Sequence, residues 1–137
     1  MALVLDTGGI LALIDRREPA HAACTAAALQ FHDLIVPALV LSEMDYWCRK
    51  RGRGPQAFEL LASDITAGTY ILEPFTEQDL TRAAELEVTY ADLDLGLVDA
   101  SVIALCERLG EETVLTLDRR DFGVVRPRHC PSLRLLP

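Results

Sequence analysis

The chain has 137 residues, so we expect one domain over residues 1–137 with a single hydrophobic core. Half of the residues are hydrophobic and a quarter are charged, which excludes a disordered or low-complexity chain. The net charge of -8 argues against a polybasic nucleic-acid binder. It does not exclude an enzyme that acts on nucleic acid, because acidic residues gathered at a metal site would make the net charge more negative.

Short apolar runs alternate with helical patterns along the whole chain. Because these runs are apolar without period-two alternation, they predict strands that are covered on both faces. We therefore expect an α/β fold with a short central parallel sheet of four to five strands, flanked by helices. In chain order, the first third of the pattern predicts a strand at 3–5, a turn at 6–9, helices at 10–14 and 19–32, and a strand at 34–36. The middle third predicts helices at 38–50 and 56–67, a strand at 69–72 and a helix at 76–90. The last third predicts a loop at 92–96, a helix at 97–109, and strands at 113–117 and 133–135.

The cysteines and the hydropathy pattern indicate a cytoplasmic location. The four cysteines, at positions 24, 48, 106 and 130, show no Cys-x-x-Cys spacing, so we expect reduced thiols in the core rather than a zinc site or disulfides. No apolar run approaches the ~20 residues of a membrane span. The first residues lack the pattern of a signal peptide.

Four acidic residues stand where functional groups collect in a parallel sheet. Asp6 and Asp118 follow predicted strands, and Asp99 lies in the first turns of the 97–109 helix. Glu43 lies near the start of the helix after the second strand. Each has an ordinary structural explanation as a turn, cap or surface acid. Taken together, four carboxylates at one sheet edge would repel one another unless a hard divalent cation neutralised them.

The four acids lie in four motifs that together resemble PIN-domain ribonucleases. The motifs read VLDTG at residues 4–8, VPALVLSE at 36–43, LGLVDAS at 95–101 and LTLDRRDF at 115–122. Their order, spacing and structural contexts agree with the family along essentially the whole chain. The VapC type, the toxin of a VapBC toxin–antitoxin pair, is the most similar.

This resemblance implies a metal-dependent endoribonuclease. It assigns Asp6 and Asp99 as the most direct ligands of Mg²⁺ or Mn²⁺, with Asp118 and Glu43 completing the site. Thr7 and Thr116 would hydrogen-bond the ligating carboxylates. Asp121 is a candidate fifth acid, although a cap or a partner of the neighbouring arginines explains it as well. The resemblance also implies an RNA substrate, a VapB-type antitoxin and a homodimer. Trp47, Leu60 and Leu61 are candidates for the surface that such protein partners contact, but we expect each of them to lie in the core.

Two groups of basic residues are candidates for contact with RNA phosphates. Arg49, Lys50, Arg51 and Arg53 form the densest run, but cations that complement a helix C-terminus explain it equally well. Arg119 and Arg120 directly follow Asp118, which favours a role in substrate binding. The three histidines form no cluster, and this argues against a histidine general base.

Two other functions compete with a ribonuclease. One is a catalytically silent PIN-like module that binds RNA or protein, against which the presence of all four acids argues. The other is a small phosphatase or receiver-like domain with Asp6 as nucleophile, although the second acid expected two residues after Asp6 is absent. The sequence does not name the RNA or the cleavage position.

Overall fold

The computed structural model describes residues 1–137 and confirms the predicted α/β fold. Its five strands form one parallel sheet with helices on both sides. The strands are β1 (Ala2–Leu5), β2 (Asp33–Pro37), β3 (Ile71–Glu73), β4 (Thr113–Leu115) and β5 (Arg134–Leu136). The helices are α1 (Thr7–Ile14), α2 (His21–Ala28), α3 (Val40–Lys50), α4 (Gly54–Thr66), α5 (Glu77–Thr89), α6 (Leu97–Leu109) and α7 (Arg119–Val124), with a 3₁₀ turn at Ala91–Leu93.

The strand order β3-β2-β1-β4-β5 places β1 at the centre of the sheet. The chain first builds outwards from β1 through β2 to β3, and then returns to add β4 and β5 on the other side. In the register, Val4 of β1 lies beside Ile35 of β2 and Val114 of β4. The strand order therefore reverses between β1 and β4, because β2 and β3 lie on one side of β1 and β4 and β5 lie on the other. In open parallel sheets a crevice forms at the carboxyl ends of the strands at such a reversal, and ligands bind there.

Strands β1 and β4 lie in the hydrophobic core over their whole length, and β2 over its last three residues. Leu3, Val4 and Leu5 have no exposed surface, which explains why consecutive residues of β1 are apolar. All four cysteines are buried and free, as expected from their spacing. No helix combines the length and apolar character needed to cross a bilayer.

Ion pairs fix α6, which carries Asp99, against α5. The α5 helix begins with a capping box in which Thr76 and Asp79 each bond the other's backbone N–H. The buried Asp79 also accepts from Arg108 Nε at 2.9 Å. Arg82 Nε donates to Glu107 Oε2 at 2.7 Å on the same pair of helices. The position of α6 is therefore set by two paired contacts as well as by apolar packing.

Helix α1 begins earlier than the sequence pattern predicts. Thr7 is already helical, because Asp6 caps the helix and its side chain accepts from the Gly9 N–H. Residues 6–9, which we expected to form a turn, therefore belong to a capped first helical turn. Helix α2 begins at His21 rather than at residue 19. The predicted strand at 113–117 ends at Leu115.

The expected burial is wrong for Trp47 and Leu60 and right for Leu61. The side chain of Leu60 is 68% exposed, whereas that of Leu61 is 1% exposed. Adjacent helical residues point about 100° apart, so α4 turns only one of the two leucines to the core. Trp47 is 39% exposed on α3.

Candidate functional site

Asp6 is held at the carboxyl end of β1 by two hydrogen bonds. Its Oδ1 accepts from the Gly9 N–H at 2.8 Å, and its Oδ2 accepts from Thr116 Oγ1 at 2.5 Å. The residue is buried. One donor is a backbone N–H and the other a side-chain hydroxyl, and both belong to residues fixed by the fold, because Gly9 lies in α1 and Thr116 directly follows β4. The orientation of the Asp6 carboxylate is thus set by the junction of β1 and β4.

Thr116 also connects Asp6 to Asp118. The Asp118 N–H donates to Thr116 Oγ1 at 2.9 Å. The Asp118 side chain in turn caps α7, since its Oδ1 accepts from the Asp121 N–H at 3.4 Å. One buried hydroxyl therefore holds the two acids that follow neighbouring parallel strands.

Asp99 reaches the same place from the first turn of α6. Carboxylate oxygens of Asp99, Asp118 and Asp121 all lie within 4.8 Å of one another. Neither Arg119 nor Arg120 forms an ion pair with Asp121. Of the explanations open for Asp121, the structure favours an acid that faces the cluster over a partner of these arginines.

Glu43 completes the group from the first turn of α3. Thr7 Oγ1 donates to Glu43 Oε1 at 2.5 Å, so the start of α1 orients this carboxylate. Asp6, Glu43, Asp99 and Asp118 line one pocket. The structure therefore brings together the four acids that the sequence singled out, each from a different element.

The electrostatics of this pocket are unfavourable without a cation. Burial raises the pKa of Asp6 from 3.8 to about 6. Burial, followed by the charges of Asp6, Asp118 and Glu43, raises the pKa of Asp99 to about 7. None of the four carboxylates forms an ion pair. A set of converging oxygens without a positive partner fits a hard divalent cation such as Mg²⁺ or Mn²⁺.

We predict that the metal-free protein loses stability as the pH rises. The folded pKa values of Asp6 and Asp99 are about 6 and about 7, above the ordinary value of 3.8 that applies in the unfolded chain. Between about pH 4 and pH 7 the folded chain therefore holds more protons than the unfolded chain. The free energy of unfolding therefore falls from about pH 4 to pH 7. Thermal melts in EDTA across this range measure the loss.

The same carboxylates make metal stabilisation depend on pH with the opposite sign. A divalent ion binds the deprotonated acids, so Mn²⁺ should raise Tm by roughly 3 °C or more at pH 8 and by under about 1 °C at pH 5. The Asp99→Asn variant serves as the control, since it removes the group with the larger shift. An equal Mn²⁺ effect at both pH values would contradict the assignment.

Most of the basic run at the end of α3 is already paired within the protein. Arg49 pairs with Asp45 at 3.0 Å. Arg51 pairs with Glu18 at 3.1 Å and Arg53 with Asp15 at 2.6 Å. Hydrogen bonds from the backbone and side chain of Arg17 hold the pKa of Asp15 well below its usual range. The pairs of Arg51 and Arg53 fasten the end of α3 to the segment after α1. Lys50 is the residue of this run without an ion pair.

Arg119 and Arg120, the two arginines that follow Asp118, differ in their contacts. Arg119 donates to the carbonyl oxygen of Pro137. Arg120 is exposed and has no ion pair. Arg120 is thus the cation next to Asp118 that remains free to meet a polyanion.

The sequence pattern did not place Trp47 at the pocket, but its spacing contained the signal. Trp47 follows Glu43 by four residues and therefore lies on the same face of α3. It lines the pocket together with Arg51 and the exposed Leu117. An aromatic residue at this spacing from a candidate ligand on a helix indicates a neighbour of the site.

Comparison with known proteins is consistent with this arrangement. Residues 3–126 match the PIN domain. Ribonuclease VapC26 of Mycobacterium tuberculosis (strain ATCC 25618 / H37Rv) is 32% identical over 126 residues, which make up 91% of this chain and 93% of the relative. The crystal structure of VapC20 from the same species, a Sarcin-Ricin loop cleaving toxin, has a TM-score of 0.81 at 19% identity and covers 94% of this chain and 98% of its own. VapBC2 of Rickettsia felis, bound to a DNA fragment from its promoter, has a TM-score of 0.71 at 16% identity, with 98% and 97% covered.

Proposed function

Because the chain belongs to the PIN-domain family, and within it to the VapC type, we propose that it is a divalent-metal-dependent endoribonuclease toxin. One observation carries the proposal. Four carboxylates from four elements line one pocket at the reversal of the sheet, and none of them has a basic partner. The activity proposed is hydrolysis of phosphodiester bonds in RNA.

In this proposal each acid has a defined part. Asp6 and Asp99, the two with raised pKa values, would hold Mg²⁺ or Mn²⁺ most directly, and Asp118 and Glu43 would complete the site. Thr116 and Thr7 orient Asp6 and Glu43 through their hydroxyls. When bound, the divalent ion lowers the pKa of a coordinated water and offsets charge on the attacked phosphate.

The proposed substrate is a polyanion, and the residues around the acids suit it. Arg51 is the one cation that lines the acidic pocket, and its pairs with Asp15 and Glu18 use Nη1, which leaves Nε and Nη2 for a phosphate. Arg120 lies next to Asp118 without an ion pair. Arginine meets phosphate through two parallel N–H donors, which gives orientation as well as attraction. These two arginines are the proposed phosphate contacts.

We further propose an antitoxin of the VapB type as partner, and a homodimer. A groove of mostly apolar side chains lies beside α1 and α2, with Leu13, Ile14, Phe31 and Leu34 among its lining residues. Such a groove suits the apolar face of an amphipathic helix. Leu29, which is about four-fifths exposed, lines the same groove. Val88 is equally exposed elsewhere on the surface, which is consistent with a further protein contact.

Cleavage assays with defined metals test the proposed function. The purified protein is incubated with total RNA in EDTA, Mg²⁺ or Mn²⁺, and the products are mapped by their ends. We expect discrete cleavage in Mg²⁺ or Mn²⁺, none in EDTA, and suppression of the cleavage by the cognate VapB-type antitoxin. Binding without cleavage in all metals would instead indicate a silent module, and a phosphorylated Asp6 would indicate phosphatase chemistry.

A further inference from the structure

Three side chains form a row along α3 that leads away from the acidic cluster. Glu43 and Trp47 belong to α3 and Arg51 is its C-cap residue, and the four-residue spacing places the three on one face. At 1.5 Å per residue, successive members of the row are about 6 Å apart along the axis. All three line the same pocket as Asp6. The pocket therefore changes along this row from acidic to aromatic to basic.

The indole of Trp47 is exposed but held in place. The Arg51 guanidinium lies 5.9 Å from the indole centroid, and the Tyr46 ring meets the indole edge-on at 5.2 Å and 79°. Arg51 is itself fixed, because its Nη1 donates to Glu18 Oε2 at 3.1 Å. A large aromatic surface with its neighbours already ordered loses little conformational freedom when a ligand stacks on it.

Core packing does not account for this arrangement. Trp47 keeps more than a third of its surface exposed, whereas Met44 and Cys48 on the same helix are buried. The pocket holds four carboxylates, so an exposed aromatic ring at its rim is out of place in a pocket for a cation alone. Unpaired nucleic-acid bases are held by stacking on aromatic rings with a cation beside the backbone, and this combination is present here.

We propose that the indole of Trp47 stacks on an unpaired RNA base next to the scissile phosphate, while Arg51 contacts the phosphate of the flanking nucleotide. This inference rests on the proposed function and names the part of the RNA that the site takes. Bases inside a duplex are stacked on each other and have no free face. Trp47 therefore makes the site select loops, bulges or single strands.

Trp47 is the only tryptophan of the chain, which gives a direct measurement of stacking. Its fluorescence is followed while a ten-nucleotide single-stranded RNA is added to the protein in Ca²⁺. A chain of the same length with abasic sites serves as the matched probe. We expect the RNA to quench the emission by roughly half or more, and the abasic chain to bind without quenching.

Variants test whether the stack supports cleavage. Loss of one base stack costs about 10- to 100-fold in kcat/KM, so Trp47→Leu should lose this much, mainly through KM. Trp47→Phe keeps an aromatic face and should stay within about threefold of the wild type. Leu60→Ala, which removes an exposed apolar side chain on α4 outside the pocket, is the control and should leave KM unchanged. The Mn²⁺ shift in Tm should be equal in all of these proteins.

The outcomes separate this inference from the proposed function. If the wild type cleaves RNA, but Trp47→Leu cleaves it equally well and single-stranded RNA does not quench, the stacking proposal is wrong and the ribonuclease stands. Quenching by the antitoxin and not by RNA also overturns it. If the wild type cleaves no RNA in any metal and no RNA quenches, both proposals fail.

Discussion

Replacing Asp99 with asparagine is expected to lower metal-dependent RNA cleavage by about 10²- to 10³-fold or more, with the fold intact. The amide keeps the size of the side chain but removes the charge that would hold the cation. The raised pKa of about 7 indicates that the ionised carboxylate is poorly accommodated without metal. The variant should therefore be as stable as the wild type in EDTA, or more stable by roughly 1 to 2 kcal/mol at pH 8.

Asp94→Asn is the matched control for this substitution. Asp94 lies in the loop before α6, is exposed, and has a backbone φ of 52°, a conformation that asparagine tolerates. Its cleavage rate should stay within about twofold of the wild type. Single-turnover rates and thermal melts in EDTA and Mn²⁺ measure both variants. A wild-type rate in purified Asp99→Asn protein would remove Asp99 from the site.

Gly9→Ala is expected to destabilise the protein by about 2 to 3 kcal/mol and to lower Tm by roughly 8 °C. A Cβ at this position would lie 2.3 Å from the carbonyl oxygen of Leu115, so backbone must move. Moving α1 away from β4 also displaces the Gly9 N–H, which donates a hydrogen bond to the Asp6 side chain. We therefore expect cleavage to fall by about tenfold as well, measured beside the melt.

Gly8→Ala is the control for the stability effect. Its Cβ would lie 3.3 Å from the Cβ of Leu117, a tight contact that a shift of a few tenths of an ångström relieves, in contrast to the 2.3 Å clash at Gly9. Alanine also favours a helix over glycine by about 1 kcal/mol. Gly8→Ala should thus change stability by less than about 1 kcal/mol, and equal losses in the two variants would contradict close packing of Gly9 on β4.

Local patterns in the sequence predict those parts of the fold that depend on local interactions. The apolar run of β1 and the periodicity of α6 with Gly110 at its end appear in the structure with nearly the predicted bounds. The positions of Asp6 and Asp118 after strands also place them correctly at one edge, since parallel strands end on the same side. That these acids bind metal remains a prediction.

The features of the fold and of the site that the sequence pattern does not predict depend on contacts between distant segments. The glycines at 8 and 9 suggested a turn, because the packing of Gly9 on Leu115 is not visible in a local pattern. For the basic run after α3, the sequence left RNA contact and compensation of the helix C-terminus equally open, and neither explanation predicts that Arg53 pairs with Asp15, 38 residues away. The exposure of Trp47 depends on which side of α3 the sheet covers, and this is set by the packing of α3 on β2 and α1.

The hydrogen bond between Asp6 and Thr116 joins residues 110 positions apart, and this separation has a consequence for synthesis. A nascent chain emerges from the ribosome with β1, β2 and β3 long before β4. Until β4 and the residues after it leave the tunnel, Asp6 lacks its hydroxyl partner and Asp118 is absent. The acidic pocket therefore cannot form until the chain has been synthesised through Asp118.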